Sequence, residues 1–390
     1  MTTIYDPRYL EIIERLKNAR IEKKITQQAL AKVIGEAQSY VSKVEGAEQR
    51  LDIIELYDWL VALNIKPKEF LSGIGWFAED RPDRQSALPL PGRVEEAKNG
   101  INMMLTWQGQ EKKIFIENVS VKEYLVVENE ISTIFGDLNK PSSTLKNREA
   151  ICFALISAFR QLPGANPSDV YHQIVYRLYL REYTRTQPEQ SWVRAGGEAL
   201  ELFVERHYAP LLLPQNIVIK ALIGRTEKAN ALAEMGLAGV VGDSKLDVCL
   251  YGLIDEQKYV FGGIHCKASF AERVSDDVPC SEAMMRNNLA SFLFTFDAKS
   301  FPPPLGDLIN RGELGTLDKP SDKRKYIEDH GSFDACFCYN LRSTPSAEKT
   351  KSGKRIYVSS FQDGQDLLPT KIIEAWSNFK AINELGESTS

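Results

Sequence analysis

Two neighbouring stretches decide the fold: Gly242-Asp-Ser-Lys-Leu-Asp247-Val-Cys-Leu-Tyr251 and Tyr259-Val-Phe-Gly-Gly-Ile-His-Cys-Lys267-Ala-Ser269. Each is an apolar run of strand length with one charge at its edge. Asp247 enters the first run and Lys267 terminates the second. A carboxylate at such a position is either a solvated strand end or a ligand. Twenty residues separate the two, the length of a hairpin-like pair of adjacent strands. The acid and the lysine then meet at neighbouring strand ends, as an ordinary ion pair or as the start of a site. Phosphodiester hydrolysis needs such a start. A hard divalent cation takes oxygen ligands and acidifies a bound water. A lysine beside it orients the water or offsets charge on the phosphate.

Outward from these strands, residues 101–390 read as mixed α/β. Helices are expected at 147–162, 168–183, 194–208, 227–235, 281–297 and 369–383. Strands are expected at 217–223, 245–253, 259–267, 334–339 and 356–361. This alternation implies one α/β domain around a central sheet. Gly73, Gly75, Pro82, Pro89, Pro91, Gly92 and the mixed charges of 79–84 mark a linker, placed at 76–100.

The strand pair resembles the PD-(D/E)xK nuclease core, with His265 standing where that core carries an acid. The run Lys267-Ala-Ser269-Phe-Ala-Glu272-Arg273 resembles the Lys-x-Ser-x-x-Glu-Arg run of EcoRII-like type II restriction endonucleases. In the CCGG/CCNGG-cutting group (BsaWI-, NgoMIV- and EcoRII-like enzymes), the following helix replaces the missing strand acid. Carried over, that residue is Glu282, fifteen positions after Lys267. The helix with Arg194-Ala-Gly196-Gly197-Glu198-Ala-Leu-Glu201 is similar to the one before the catalytic strands in that group. Leu200, Phe203 and Val204 mark its buried side, which favours Glu201 over Glu198. The resemblance thus implies catalytic Asp247, Lys267, Glu282 and Glu201, with Asp247 and Glu282 holding Mg²⁺. It makes His265 a strand residue beside the site without a catalytic role. Glu272 accepts from cytosine amines and Arg273 donates to guanine in the implied base readout. Ala271 stands where the group has a basic residue, which moves one guanine contact elsewhere, to Arg286 or Lys245 for example.

Residues 1–75 read as an all-helical domain. Tyr9, Ile12, Ile13, Leu16 and Ala19 recur at helical spacing. Thr26 caps a second helix that ends at Gly35, a third runs from about 37 to 44, and a fourth covers 53–63. Thr26-Gln27, Leu30-Ala31 and Ser39-Tyr40-Val41-Ser42-Lys43-Val44-Glu45-Gly46, with Leu16 and Arg20, resemble the XRE-like (Cro and phage-repressor) helix-turn-helix. That family implies that Gln27, Gln38, Ser39, Tyr40 and Lys43 face DNA. A helical protein-interaction module with a merely solvated polar face is the alternative.

Composition agrees with these readings. The chain has 390 residues, enough for two or three domains at roughly 100–200 residues each. Its net charge of −5 excludes a nucleic-acid coat that binds by charge alone, though not a local basic groove. No run approaches the roughly 18 apolar residues of a membrane span. Six cysteines without a CxxC pair point to reduced thiols in a cytoplasm rather than to a zinc site. The four histidines lack the HExxH spacing of zinc hydrolases.

The expectation is therefore an α/β protein. Its PD-(D/E)xK restriction-endonuclease-like central mixed sheet is flanked by helices and preceded by the all-α helix-turn-helix domain. The implied activity is Mg²⁺-dependent cleavage of both strands of double-stranded DNA at a palindromic CC…GG site, leaving 5′-phosphate ends. A palindrome calls for a homodimer, or a tetramer of paired dimers. The alternative is a helix-turn-helix transcriptional regulator with a ligand-binding or degenerate nuclease domain.

Overall fold

The computed structural model describes residues 7–72, 90–107, 110–185, 187–242, 246–270, 274–298 and 309–384. The chain divides into two compact units, Met1–Ala87 and Leu88–Ser390.

The first unit is helical: α1 (Pro7–Glu22), α2 (Gln27–Ile34), α3 (Gln38–Glu45), α4 (Ile53–Ala62) and α5 (Pro67–Ser72). Local chemistry sets these limits. The Thr26 side chain accepts from the Ala29 amide, and Gly35 closes α2 at φ 77°, a left-handed turn that suits glycine. Asp52 and Glu55 form a reciprocal capping box on α4. Pro67 opens α5, where its missing N–H costs nothing. Ile13, Leu16, Leu30, Ala31, Val41, Val44, Trp59 and Leu60 form the core. Beneath it Arg20 clasps Glu45 with two hydrogen bonds, Nε to Oε1 at 2.5 Å and Nη2 to Oε2 at 2.8 Å.

The second unit opens with an antiparallel meander of β1 (Leu90–Ala97), β2 (Gly100–Trp107) and β3 (Gln110–Glu117). The linker expected to run to residue 100 is therefore corrected: β1 is a paired strand, with Val94 opposite Met103. Gly100 is needed where β2 meets β3, because a Cβ there would lie 2.2 Å from the Ile116 carbonyl oxygen. Helices α6 (Val121–Asn139), α7 (Asn147–Gln161), α8 (Pro167–Asp169), α9 (Tyr176–Glu182) and α10 (Pro188–Leu212) follow. The helix expected at 168–183 is interrupted by a π-helical stretch at Val170–Val175.

A six-stranded mixed sheet carries the rest. Its strands are β4 (Ile217–Ala221), β5 (Val248–Ile254), β6 (Gln257–Lys267), β7 (Ala290–Thr295), β8 (Ala335–Cys338) and β9 (Arg355–Val358), neighbours in chain order. β4, β5 and β6 pair antiparallel, and β6 to β9 pair parallel. Helix α11 (Arg225–Glu234) precedes β5, α12 (Val278–Arg286) crosses from β6 to β7, α13 (Asp322–Glu328) precedes β8, and α14 (Leu368–Ile382) closes the unit. The helix expected at 281–297 is corrected as well. Asn287 ends α12, Asn288 takes φ 57°, and Ala-Ser-Phe-Leu-Phe-Thr becomes the parallel strand β7. An unbroken apolar run is what a strand covered on both faces requires.

Leu200, Phe203 and Val204 of α10 pack with Val248, Phe261, Phe292 and Phe294 in the main core. Trp376 of α14 rests on Gly252, where a Cβ would stand 2.3 Å from the indole. The two long helices thereby brace the sheet and fix the ends of β5 and β6.

Candidate active site

β5 and β6 pair as the sequence requires, and their register brings Asp247 beside the end of β6. One Asp247 oxygen, Oδ2, accepts from the Cys266 amide at 2.9 Å and lies 3.5 Å from Lys267 Nζ. The other, Oδ1, lies 3.1 Å from Nζ of Lys228, a residue in the first turns of α11. Burial alone would raise the Asp247 carboxyl. Lys267 and then Lys228 outweigh it and hold the group below its ordinary value.

Glu201 reaches the same place from α10. Its Oε1 is 3.4 Å from Lys228 Nζ, and among the described residues its buried Oε2 receives no hydrogen bond. Burial, then the charge of Asp247, push its carboxyl up to about 8 against the pull of Lys228. Glu198 instead pairs with Arg148 at 2.7 Å, away from this cluster. Gly196 marks an approach within α10 itself: a Cβ there would meet the Trp192 indole at 3.2 Å.

The helix after β6 contributes an acid, and that acid is Asp277. It sits at the N-cap position of α12, with Oδ2 2.8 Å from Lys267 Nζ. The expectation that Glu282 reaches this position is corrected. Glu282 lies five residues further along α12, about 140° around the helix. There its carboxylate takes Arg286 Nη2 and Ser332 Oγ, each at 3.3 Å. His265 is fully buried on β6, edge-on to Phe333 at 5.5 Å.

Three carboxylates and two ammonium groups thus meet: Glu201, Asp247 and Asp277 with Lys228 and Lys267. Among the described residues no three Asp, Glu, His or Cys side chains already form a closed metal cage. The oxygen donors are nonetheless those a hard cation takes, and the unpartnered Glu201 Oε2 is a buried acceptor lacking a donor.

A BsaWI restriction endonuclease type 2 family matches residues 225–364, a span that holds Lys228, Asp247, Lys267 and Asp277. The type II restriction enzyme AgeI of Thalassovita gelatinovora is 50% identical over 264 residues, which cover 65% of this chain and 91% of that enzyme. The chain belongs to the type II restriction endonucleases. A crystal structure of a specific AgeI–DNA complex superposes on this restriction endonuclease with a TM-score of 0.65 at 43% identity, covering 73% of this chain and 99% of that one.

The helix-turn-helix family matches residues 16–70 of the endonuclease. In that unit Gln38, Ser39 and Lys43 are exposed along α3, while Gln27 and Tyr40 are half-buried. Gln27 donates to Glu45 at 2.8 Å and accepts from Gln38 at 2.7 Å, so the buried Arg20–Glu45 pair orients the first polar residue of α3. Tyr40 leans toward Glu55 of α4. Burial and that contact raise its phenol well above its usual value. Tyr40 is thereby less free to face outward than its neighbours.

Of the remaining expected site residues, Glu272, Arg273, Ala271 and Lys245 lie outside the described residues. Two charged residues of the cluster escaped the sequence reading. Asp277 had a signal, since Asp-Val-Pro279 is an N-cap acid followed by a proline in the first helical turn. Lys228 had none, because nothing in Arg225–Glu234 distinguishes it from a surface lysine before the fold places it against Asp247.

Proposed function

We propose that this restriction endonuclease hydrolyses both strands of double-stranded DNA at a palindromic site with a CC…GG core, with Mg²⁺ as cofactor. The observation that carries the reading is the convergence of Asp247, Glu201 and Asp277 on Lys267 and Lys228 at the ends of β5 and β6. Asp247 and Glu201 are the groups that would hold the cation, in place of the pair Asp247 and Glu282 expected from sequence. A divalent ion held there would supply positive charge to the scissile phosphate and acidity to the attacking water. Lys267 offers three donors on one point charge. Held between Asp247 and Asp277, it orients the attacking water and offsets charge on the phosphoryl oxygens. Asp277 fixes that ammonium in place. Water adds to phosphorus and the 3′-oxygen leaves, which gives 5′-phosphate and 3′-hydroxyl ends.

Base readout falls to Glu272 and Arg273, just past Lys267 in the sequence, where a carboxylate suits cytosine N4 and a guanidinium suits guanine O6 and N7. One active centre per chain and a two-fold site favour a homodimer. The α3 surface of Gln38, Ser39 and Lys43 adds a second DNA contact, on sequence flanking or overlapping the cleavage site. Among the described residues all six cysteines are free and buried, and no helix is long and apolar enough to cross a membrane. A reducing cytoplasm fits that thiol state.

Incubating plasmid DNA of known sequence with enzyme and Mg²⁺ tests the reading. Discrete fragments whose mapped ends share a CC…GG core support it. Binding without cutting would favour the regulator instead, and a smear would mean a nuclease without fixed sequence preference. Lys267→Ala is expected to keep DNA binding and lose cleavage.

A further inference from the structure

We propose that Lys228 is a placeholder cation: its ammonium holds Glu201 and Asp247 together in the metal-free enzyme and gives way when a divalent cation binds. This rests on the metal-site reading above and adds a role for a residue outside the nuclease motif.

The geometry separates the two lysines of the cluster. Lys267 lies on the side of Asp247 Oδ2 and is anchored by its own acid, Asp277, at 2.8 Å. Among the described residues Lys228 has no such private acid. Its Nζ bridges Asp247 Oδ1 at 3.1 Å and Glu201 Oε1 at 3.4 Å, the two carboxylates best placed for a cation. All three side chains are nearly buried, at 13% exposure for the lysine, 8% for Asp247 and 10% for Glu201. Two carboxyl groups at such depth repel each other once both are ionised, and both ionise together only with a positive charge between them. A single ammonium satisfies that need in part, for among the described residues one oxygen of Glu201 remains without a donor. A divalent ion supplies twice the charge and accepts more oxygen ligands. The lysine is suited to yield because its charge rides on a flexible four-carbon stem and not on a rigid fork. It also rises from α11, a different element from the strands that carry Asp247 and Lys267, so its withdrawal leaves them in register.

A placeholder imposes a cost on the ion that displaces it, since the competent state is only the fraction with the lysine withdrawn. Removing the ammonium therefore tightens metal binding, which is opposite to the effect of removing a group that helps hold the ion.

The test uses the full-length enzyme without DNA. Wild type, Lys228→Met and Lys228→Gln are titrated with Ca²⁺ and with Mg²⁺ by calorimetry, and melted in EDTA and in saturating Mg²⁺. Both variants are expected to bind the ions about tenfold more tightly. They should melt below wild type in EDTA and close that gap in Mg²⁺. The glutamine variant keeps a polar head should the methionine variant fail to fold. Equal or weaker ion binding by the folded variants would overturn the proposal, as would a melting deficit that persists in Mg²⁺. If wild type binds neither ion, the metal-site reading itself fails.

Discussion

Asp277 Oδ2 lies 2.8 Å from Lys267 Nζ, although Lys267 ends a strand and Asp277 stands at the N-cap position of the helix that follows it. The separation of ten residues lets the chain leave β6, turn and return its helix start to the strand end. Glu282, on the same helix, is rotated away and engaged by Arg286 and Ser332. Asp277→Asn is therefore expected to lower the cleavage rate about 100-fold or more, the scale of losing one electrostatic participant. Glu282→Gln should stay within about threefold of wild type, as changes away from a site do. Single-turnover cleavage of a short duplex compares them, and the reverse ranking would assign the helix acid to Glu282.

How far the site was legible follows from which forces act locally. Asp247 and Lys267 could be paired from the sequence because hairpin register depends on nearby residues alone. Thr26, Gly35, Val41 and Val44 likewise announce the helix-turn-helix through caps and spacing. The choice between Asp277 and Glu282 depends on where α12 begins and which face it turns to β6. A spacing rule misses by half a helical turn there. Strand β7 was hidden for another reason: Phe292, Leu293 and Phe294 are buried on both sheet faces, so no alternation marks them. The alternation of Ile101, Met103 and Leu105 does carry a strand signal, yet only pairing across β1, β2 and β3 makes it plain. Lys228 depends wholly on tertiary structure.

His172 gives a pH dependence whose sign is fixed. It lies in the π-helical stretch, and burial, reinforced by Arg177, pushes its imidazole down to about 3. The folded state thus keeps it neutral while the unfolded chain protonates near 6.5. Stability from this group is complete above pH 6.5 and falls as the pH drops toward 3. Asp169 and Asp297, raised to about 6 by burial, act in the opposite direction over part of that window. The informative quantity is therefore the difference between wild type and His172→Phe. Between pH 6.5 and 5 wild type should lose about 2 kcal/mol more than the variant. Urea unfolding at the two pH values measures it, and parallel losses would show that His172 does not titrate in this way.

The Arg20–Glu45 pair makes the first unit sensitive to a single change. Both residues are less than a tenth exposed, and Arg20 also donates to the Ile25 carbonyl at 2.7 Å. Arg20→Met leaves Glu45 buried without its guanidinium and is expected to cost the unit about 3–5 kcal/mol. The double change Arg20→Met with Glu45→Met removes both charges and should recover most of that loss. Hydrogen exchange of the α1–α4 amides in the intact protein reads both. An equal loss in the single and double variants would mean that packing, not the buried charge, sets the cost.

The α3 surface leads to a prediction about affinity rather than stability. Gln38, Ser39 and Lys43 are exposed on one short helix, and Gln38 is oriented through Gln27 by the Arg20–Glu45 pair. Lys43 carries a charge suited to phosphate, whereas the amide of Gln38 suits a base edge. Lys43→Ala should weaken binding to all duplexes alike and reduce the salt slope of log K by about 1. Gln38→Ala should cost about 1–3 kcal/mol on the preferred duplex and little on others, which relaxes sequence preference. Both are measured by titrating labelled duplexes in Ca²⁺ over a range of salt, with flanking sequence varied around one cleavage site. Because these side chains are exposed, the melting temperature should not move, and that separates lost contact from lost fold. If neither substitution changes affinity or the cleavage pattern, the polar face of α3 is solvated rather than bound, and the helical unit serves another partner.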